Sequence, residues 1–181
     1  ENLYYFAGMK RSTHLFLFLL FLLLSCKTKT IQRSYDPSPA ELAASFRVID
    51  SAKTLLQNGD VIFRNGTDEV SRAARSMNRK DTSFSHCGLV FIENDTPFVY
   101  HALGGIYNPS QKLRRDPLDS FCAPAENNAF GIYRYPLKKE QEEKLRSVVR
   151  GSFTTGLKFD LFFNYQSDDV MYCSEFVFKS L

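Results

Sequence analysis

The sequence predicts an α+β fold in which an antiparallel sheet packs against helices. One observation is that residues 85–92 and 98–102 are apolar, strand-like runs on either side of a polar turn, which is typical of a β-hairpin. A second is that apolar residues recur at helical spacing both before and after this hairpin. The roughly 140 residues from position 39 onward are enough for one hydrophobic core and one domain.

The first predicted helix has a strong start signal. Ser38, Pro39 and Glu41 combine an N-cap serine, a proline at the first helical position and a capping-box glutamate. The apolar positions that follow at helical spacing are Leu42, Phe46, Ile49 and Leu56. Asn58 and Gly59 favour an end to the helix at that point.

The remaining elements follow from shorter patterns. Strands are predicted over 61–64 and 130–135, and helices over 68–77 and 138–150. In the last of these helices, the residues predicted to face inward are Leu145, Val148 and Val149. Residues 103–128 contain few periodic apolar positions and several prolines, so they are predicted to form a long loop of the kind that covers a substrate.

The C-terminal segment begins an amphipathic helix with a cysteine. Phe176 and Val177 lie three and four positions after Cys173, on the same helical face. Asp168 and Asp169 are candidate N-cap residues, which would place the thiol in the first turn. Unpaired backbone N–H groups and the helix dipole favour a thiolate there.

A thiolate nucleophile needs a base, usually a histidine oriented by a third polar residue. The chain has three histidines, and His14 lies in a predicted leader. His86 and His101 lie on the two strands of the predicted hairpin, so the two imidazoles could lie close together.

Four blocks of sequence resemble the motifs of the NlpC-type cysteine peptidases of the papain-like fold. They are Cys-Ser-Glu-Phe-Val at 173–177, Gly-Asp-Val-Ile-Phe at 59–63, His-Cys-Gly at 86–88 and Tyr-His-Ala at 100–102. The cysteine block comes last here and first in that family. The chain is therefore similar to the circularly permuted YiiX-like hydrolases and, more distantly, to the lecithin:retinol acyltransferase group. This resemblance implies a circularly permuted papain-like fold.

The resemblance also implies roles for individual residues. Cys173 would be the nucleophile, His86 the general base and acid, and His101 the residue that orients His86. Tyr172 and Ser174 flank the nucleophile and are candidates for substrate binding. The implied activity is cleavage of an amide bond in a peptidoglycan stem peptide or a lipid or acyl amide, without a cofactor. The alternative is a catalytically idle papain-like module that binds cell-wall peptide or lipid.

Two further cysteines could serve other purposes. Strand alternation places Cys87 on the face opposite His86, which favours a core role. A disulfide between Cys87 and Cys122 stays open at this point. No C-x-x-C or H-x-x-x-H spacing is present, so no metal site is predicted.

The charge distribution argues against nucleic acid. The formal net charge is only +3, with no basic stripe. Arg72, Arg75 and Arg79 share a helical face and form a local cluster. Arg72 is a candidate for binding a substrate carboxylate or an anionic headgroup, and the alternative is a solvated helix face. A monomer is expected.

The N-terminal segment resembles a lipoprotein signal. Residues 1–8 look like a protease-site remnant from expression, and 9–25 combine a basic start with a ten-residue Leu/Phe run at 15–24 that is too short to span a bilayer. The Leu-Leu-Ser-Cys that ends at Cys26 resembles a bacterial lipobox, which implies lipidation of Cys26. Residues 26–38 are then a tether and 39–181 the hydrolase domain. The predicted location is the bacterial cell envelope, lipid-anchored and periplasmic or outer-membrane associated.

Overall fold

A computed structural model describes residues 36–181. The predicted signal peptide, the lipidation site at Cys26 and most of the tether lie outside these residues. Within them, no helix combines the length and the apolar character needed to cross a bilayer.

In the described residues, five antiparallel strands form one sheet, of which the sequence predicts four. The strands are β1 (Val61–Gly66), β2 (His86–Glu93), β3 (Thr96–His101), β4 (Arg114–Pro117) and β5 (Asn127–Tyr133). Their order across the sheet is β4-β3-β2-β1-β5. β2 and β3 form the predicted hairpin, with Asn94 and Asp95 at its turn, both with positive φ as a tight hairpin turn requires. The α+β class is confirmed.

Within residues 36–181, five α-helices accompany the sheet. They are α1 (Pro39–Lys53), α2 (Glu69–Met77), α3 (Leu118–Phe121), α4 (Lys139–Thr155) and α5 (Cys173–Ser180). α1 begins with the predicted capping box, since Ser38 and Glu41 bond each other's backbone N–H groups.

Three predicted features of the helices are wrong. α1 ends at Lys53, before Asn58, because the Leu55 N–H donates to the Ala52 carbonyl in a tighter turn, and the Gln57 N–H then donates to the Asp60 carboxylate at 2.7 Å. α4 continues to Thr155, and Val148 is 40% exposed, so it faces solvent although it was predicted to face inward.

The sheet has a packed cluster on each face. On the face covered by α4 and α5, hereafter the α5 face, the cluster includes Cys87, Leu89, Phe91, Leu145, Val149 and Phe176. On the face covered by α1 and α3, hereafter the α1 face, it includes Ile49, Val90, Val99, Phe121 and Cys122. Cys87 and Cys122 are both free and lie in different clusters, so no bridge joins them.

The prediction of a structureless loop over 103–128 is wrong. This segment contains a short 3-10 helix, strand β4 and helix α3. β4 has the sequence Arg-Arg-Asp-Pro and pairs only with β3, so it is an edge strand built from charged residues. Its charged side chains reach both faces of the sheet, and one of them enters the candidate site.

Candidate active site

Helix α5 places Cys173 at its first position. The N-cap is Tyr172, whose backbone N–H donates to Glu175 Oε2 at 3.3 Å. The prediction that Asp168 or Asp169 caps this helix is therefore wrong. The carboxylate of Asp168 lies 2.7 Å from Lys179 Nζ.

A buried carboxylate fixes the start of this helix. Glu175 is 1% exposed. Its Oε1 lies 2.8 Å from Lys179 Nζ, and the two groups form an ion pair without the geometry of a hydrogen bond. Because a buried charge is tolerated only when it is paired, this arrangement ties Glu175 to both Tyr172 and Lys179. The first turn of α5, with Cys173, is held in place as a result.

The Cys173 side chain lies within interaction range of both Cys87 and His86. Hydrogen bonding from Cys87 lowers the pKa of Cys173 well below its usual range, and the charge and hydrogen bond of His86 lower it further, against the opposing effect of burial. Hydrogen bonding to Cys173 and burial raise the pKa of Cys87. Of the two thiols, Cys173 is therefore the one that ionises, as its position at a helix start predicts.

His86 and His101 lie in direct contact, with Nε2 of His86 2.8 Å from Nδ1 of His101. The other ring nitrogen of His101, Nε2, lies 3.0 Å from Oδ2 of Asp116 on β4. The opposite oxygen of that carboxylate accepts a hydrogen bond from Arg114 Nη2 at 2.8 Å. A continuous polar line therefore runs from Cys173 through His86 and His101 to Asp116.

The line determines which ring nitrogens carry a proton. A carboxylate only accepts hydrogen bonds, so Nε2 of His101 carries a proton and donates it to Asp116. Nδ1 of His101 must then accept, and Nε2 of His86 donates to it. This leaves Nδ1 of His86 as the unprotonated nitrogen available to the Cys173 thiol.

Glycine at position 88 permits this close approach. Gly88 shares a face of β2 with His86, and a Cβ there would lie 2.9 Å from the His101 Cβ and 2.6 Å from the Val99 Cγ1. Contacts this short do not occur in folded proteins without a shift of the neighbouring strand. The glycine of the His-x-Gly block therefore lets β3 bring His101 against His86.

The electrostatics keep both imidazoles neutral. His101 is fully buried, and burial lowers its pKa to about 3 despite the hydrogen bond to Asp116. Burial also lowers the pKa of His86, against the effect of Cys173. For Asp116, burial favours a raised pKa, but the hydrogen bonds from His101 and Arg114 outweigh it and lower the pKa to about 2. The carboxylate is thus ionised at neutral pH.

Arg64 contributes a positive charge beside the two histidines. It pairs with His86 across β1 and β2, and its Nη1 donates to the Phe121 carbonyl at 2.9 Å. Its guanidinium carbon lies 4.7 Å from the centre of the Phe121 ring, against which both His86 and His101 also pack. The Arg64 charge disfavours protonation of both imidazoles.

The predicted substrate-binding residues lie in three settings. Ser174 is exposed at the start of α5, and the half-buried Tyr172 ring packs against Phe163 at 5.3 Å between ring centres. Arg72 on α2 pairs with Glu69 at 3.4 Å and donates to the Thr67 carbonyl, as arginines on helix surfaces often do. A role for these residues in substrate binding stays a prediction.

Asp116 and Arg114 were not predicted to be part of the site. Both lie in the segment predicted to be a loop, where no periodic pattern predicts a strand. The available signal was a run of charged residues shortly after the hairpin. A third strand next to β3 would have placed such a run opposite His101, as the pairing of His101 with Arg114 shows.

Comparison with known proteins agrees with this geometry. Residues 55–181 match the model of a family described as permuted papain-like amidase enzymes, YaeF/YiiX, C92 family. A curated protein named YiiX from Escherichia coli strain K12 is 31% identical over 125 residues, which cover 68% of this chain and 56% of that protein. The chain thus spans little more than half of this relative. The predicted resemblance to YiiX-like hydrolases and the permuted papain-like fold are confirmed.

A solved structure of YiiX from Escherichia coli O157:H7 matches with a TM-score of 0.55 and 28% identity, over 68% of this chain and 63% of that one. That protein is described as a metalloprotein. In the part of this chain that the structure describes, no three His, Cys, Asp or Glu side chains are grouped so that they could hold a metal ion. Both ring nitrogens of His101 are already engaged, by His86 and Asp116. The residues of this site therefore do not fit a metal.

Proposed function

We propose that this chain, which belongs to the permuted papain-like amidase family, is a cysteine hydrolase that cleaves amide bonds through an acyl-enzyme intermediate. The observation that carries the proposal is the line of contacts from Cys173 through His86 and His101 to Asp116. A nucleophile, a base and an orienting group in contact are what acyl transfer requires.

In the first half of the reaction, the Cys173 sulfur attacks the substrate carbonyl carbon and a C–S bond forms. His86 Nδ1 takes the thiol proton, either before or during this attack. The negative charge then moves to the carbonyl oxygen. The backbone N–H of Cys173, at the start of α5, is one proposed donor to that oxyanion. Collapse of the intermediate breaks the C–N bond as His86 returns the proton to the leaving amine.

In the second half, water replaces the amine. His86 Nδ1 removes a proton from water, whose oxygen attacks the thioester carbon. The C–S bond breaks and the proton returns to sulfur, which releases a carboxylic acid and restores the thiol. His101 and Asp116 take no proton in this scheme, because they hold the His86 ring in the tautomer that leaves Nδ1 unprotonated.

The proposed substrate is an amide of the bacterial cell envelope, either a peptidoglycan stem peptide or a lipid or acyl amide. The support for an envelope substrate is the lipobox-like sequence that ends at Cys26. A lipid at Cys26 would tether the enzyme and raise its effective concentration at envelope substrates. We expect Cys26→Ser to move the protein from the membrane fraction to the soluble fraction of bacterial cells. Retention after a high-salt wash would contradict the anchor.

The activity is tested with aminocoumarin amides of a short peptide and of a fatty acid, assayed in parallel. We expect the full-length protein to release aminocoumarin from at least one of them, and Cys173→Ala to release none. Cys122→Ala is the matched control, because Cys122 is a buried cysteine of the α1 face and should keep its activity. Undiminished release by Cys173→Ala would disprove the mechanism. A folded wild-type protein that cleaves neither amide would favour the binding module.

A further inference from the structure

The three cysteines of the described region differ in exposure and position. Cys173 is half-buried, whereas Cys87 is 5% exposed and Cys122 is 3% exposed. Cys173 packs against the α5-face cluster that contains Cys87. Cys122 lies in the α1-face cluster, on the other side of the sheet. One buried thiol is therefore next to the proposed nucleophile, and one is not.

The proposed mechanism gives Cys87 no task. Its side chain cannot serve as the base, because it holds its proton more strongly than Cys173 does. A small apolar residue such as valine or alanine would fill the same place in the core without bringing a second thiol to the nucleophile. The reason for a second cysteine next to Cys173 must therefore lie outside the proposed mechanism.

We propose that Cys87 and Cys173 form a reversible disulfide bond when a peroxide oxidises Cys173. The bond forms whether or not the chain is a hydrolase. If the proposed function is correct, the bond also switches the enzyme off, because the nucleophilic sulfur is no longer available.

The chemistry takes place in two steps. The Cys173 thiolate attacks one oxygen of hydrogen peroxide, the O–O bond breaks, hydroxide leaves and Cys173 becomes a sulfenic acid. The Cys87 sulfur then attacks the Cys173 sulfur, the S–O bond breaks, and the Cys87 proton leaves with the hydroxyl as water. Peroxide is reduced and the two thiols are oxidised by two electrons. A dithiol reverses the bond by thiol–disulfide exchange.

The positions of the three thiols determine the order of events. Thiolates react with peroxide and thiols do not, and Cys173 is both the more readily ionised and the more accessible of the pair. Cys87 is shielded from peroxide by the core, yet it belongs to the cluster against which Cys173 packs. Cys122 is buried across the sheet and has a pKa raised to about 12 by burial, so it should take no part.

The fold brings the two cysteines together. Disulfide formation brings two sulfurs to about 2.05 Å and needs neighbouring Cβ atoms that point toward each other. Cys173 packs against the cluster that contains Cys87, and α5 packs directly across β2, the strand of Cys87. Each thiol also changes the pKa of the other.

The test is carried out on the full-length protein with Cys26→Ser as the common background, so that this thiol cannot form bonds of its own. Reduced protein is treated with hydrogen peroxide, and its intact mass and peptide map are measured. We expect the mass to fall by two hydrogens and the map to join the peptides of Cys87 and Cys173. Dithiothreitol should restore the original mass. Protein with the added change Cys122→Ser should behave identically.

The variant Cys87→Ser separates the proposal from ordinary oxidation of an active cysteine. Without its partner, Cys173 should proceed to sulfinic acid, a gain of two oxygens that dithiothreitol does not reverse. The proposal is overturned if protein that keeps Cys87 gains the same two oxygens, or if its bond joins Cys122. The peptide map of protein that keeps Cys87 distinguishes these outcomes. The proposal can therefore be tested even if Cys87→Ser folds poorly.

Aminocoumarin release, where it is detected, adds a second measurement. We expect peroxide to abolish release by the protein that keeps Cys87 and dithiothreitol to restore it, whereas Cys87→Ser should lose release permanently. The two proposals can fail separately. A Cys87–Cys173 bond in a protein that cleaves no amide would leave the disulfide standing and remove the hydrolase.

Discussion

Strand β4 supports two carboxylates, one on each face of the sheet, that are held in similar ways. On the face of His101, Asp116 accepts hydrogen bonds from His101 and Arg114. On the other face, Glu93 accepts hydrogen bonds from Tyr100 at 2.7 Å and from Arg115 Nε at 3.0 Å. The two carboxylate side chains are 17% and 13% exposed, and donors lower the pKa of both against the effect of burial.

The two networks differ in what the aromatic donor interacts with next. His101 contacts His86, and His86 interacts with Cys173. Tyr100 packs edge-on against the rings of Phe91 and Phe153, which have no part in the proposed chemistry. The same device, a carboxylate held by an arginine of β4 that fixes an aromatic donor, therefore serves stability on one face. On the other it is positioned to orient a base.

The largest expected effects lie along the line that starts at Cys173. General acid–base catalysis is worth roughly a hundredfold to ten-thousandfold, so we expect His86→Ala to lower kcat about a thousandfold. His101→Ala should lower it less, about ten- to a hundredfold, because His101 orients the base and does not exchange protons with the substrate. Tyr100→Phe, which removes the matching donor on the opposite face, should leave kcat within about twofold of wild type.

These three variants are compared by their steady-state rates on whichever aminocoumarin amide the wild-type protein cleaves. Their far-UV circular dichroism should be the same, which shows that the fold persists. Equal losses for His101→Ala and Tyr100→Phe would show that the two networks do not differ in function.

Substitution of the two carboxylates should change kcat less, and the two variants are more closely matched to each other. Asp116→Asn keeps the shape but can donate as well as accept, so it no longer enforces the His101 tautomer; we expect about a tenfold loss of kcat with little change in KM. Glu93→Gln is the matched control, and its kcat should change little. Both variants leave an arginine with a weakened partner and should lose about 1–3 kcal/mol in the free energy of unfolding. A kcat loss that merely follows this destabilisation in both variants would argue for a structural role alone.

Sequence periodicity predicts the parts of this fold in which apolar residues alternate or repeat. The β2–β3 hairpin and the amphipathic start of α5 could be predicted because their apolar residues follow the periods of a strand and a helix. The close approach of His86 and His101 follows from the hairpin. β4 could not be predicted in this way, because it has no apolar alternation and is held by pairing and ion pairs from elsewhere in the chain.

The parts of the site that were missed depend on packing between distant segments. Asp116 reaches His101 only because β4 lies beside β3. The contact between Cys87 and Cys173 exists because α5 packs over β2, a fact of tertiary structure that neither segment reveals alone. The cap of α5 was misplaced because Tyr172 has no side chain that caps, and the bond runs from its backbone to Glu175.

The smallest expected effect is a pH dependence of stability that belongs to the His101 side. The ordinary histidine pKa is 6.5, and in the folded protein burial lowers that of His101 to about 3. Between these values the unfolded chain binds a proton that the folded protein does not, so stability falls as the pH falls. Asp116 acts in the same direction at lower pH, since its pKa is lowered from 3.8 to about 2 and its stabilisation is lost as it protonates.

We therefore expect the free energy of unfolding in urea to decrease from about pH 6.5 toward pH 4, with His101 contributing at most about 1.4 kcal/mol per pH unit. His101→Gln cannot titrate, so its stability should depend less steeply on pH over this range. Tyr100→Phe should keep the wild-type slope above about pH 5, because the phenol does not ionise there and the ordinary pKa of Glu93, which the phenol lowers, is 4.5. If His101→Gln and wild type show the same slope, His101 is protonated in the folded protein. In that case burial does not keep His101 neutral below its ordinary pKa, and the assignment that leaves His86 Nδ1 free for Cys173 fails in this pH range.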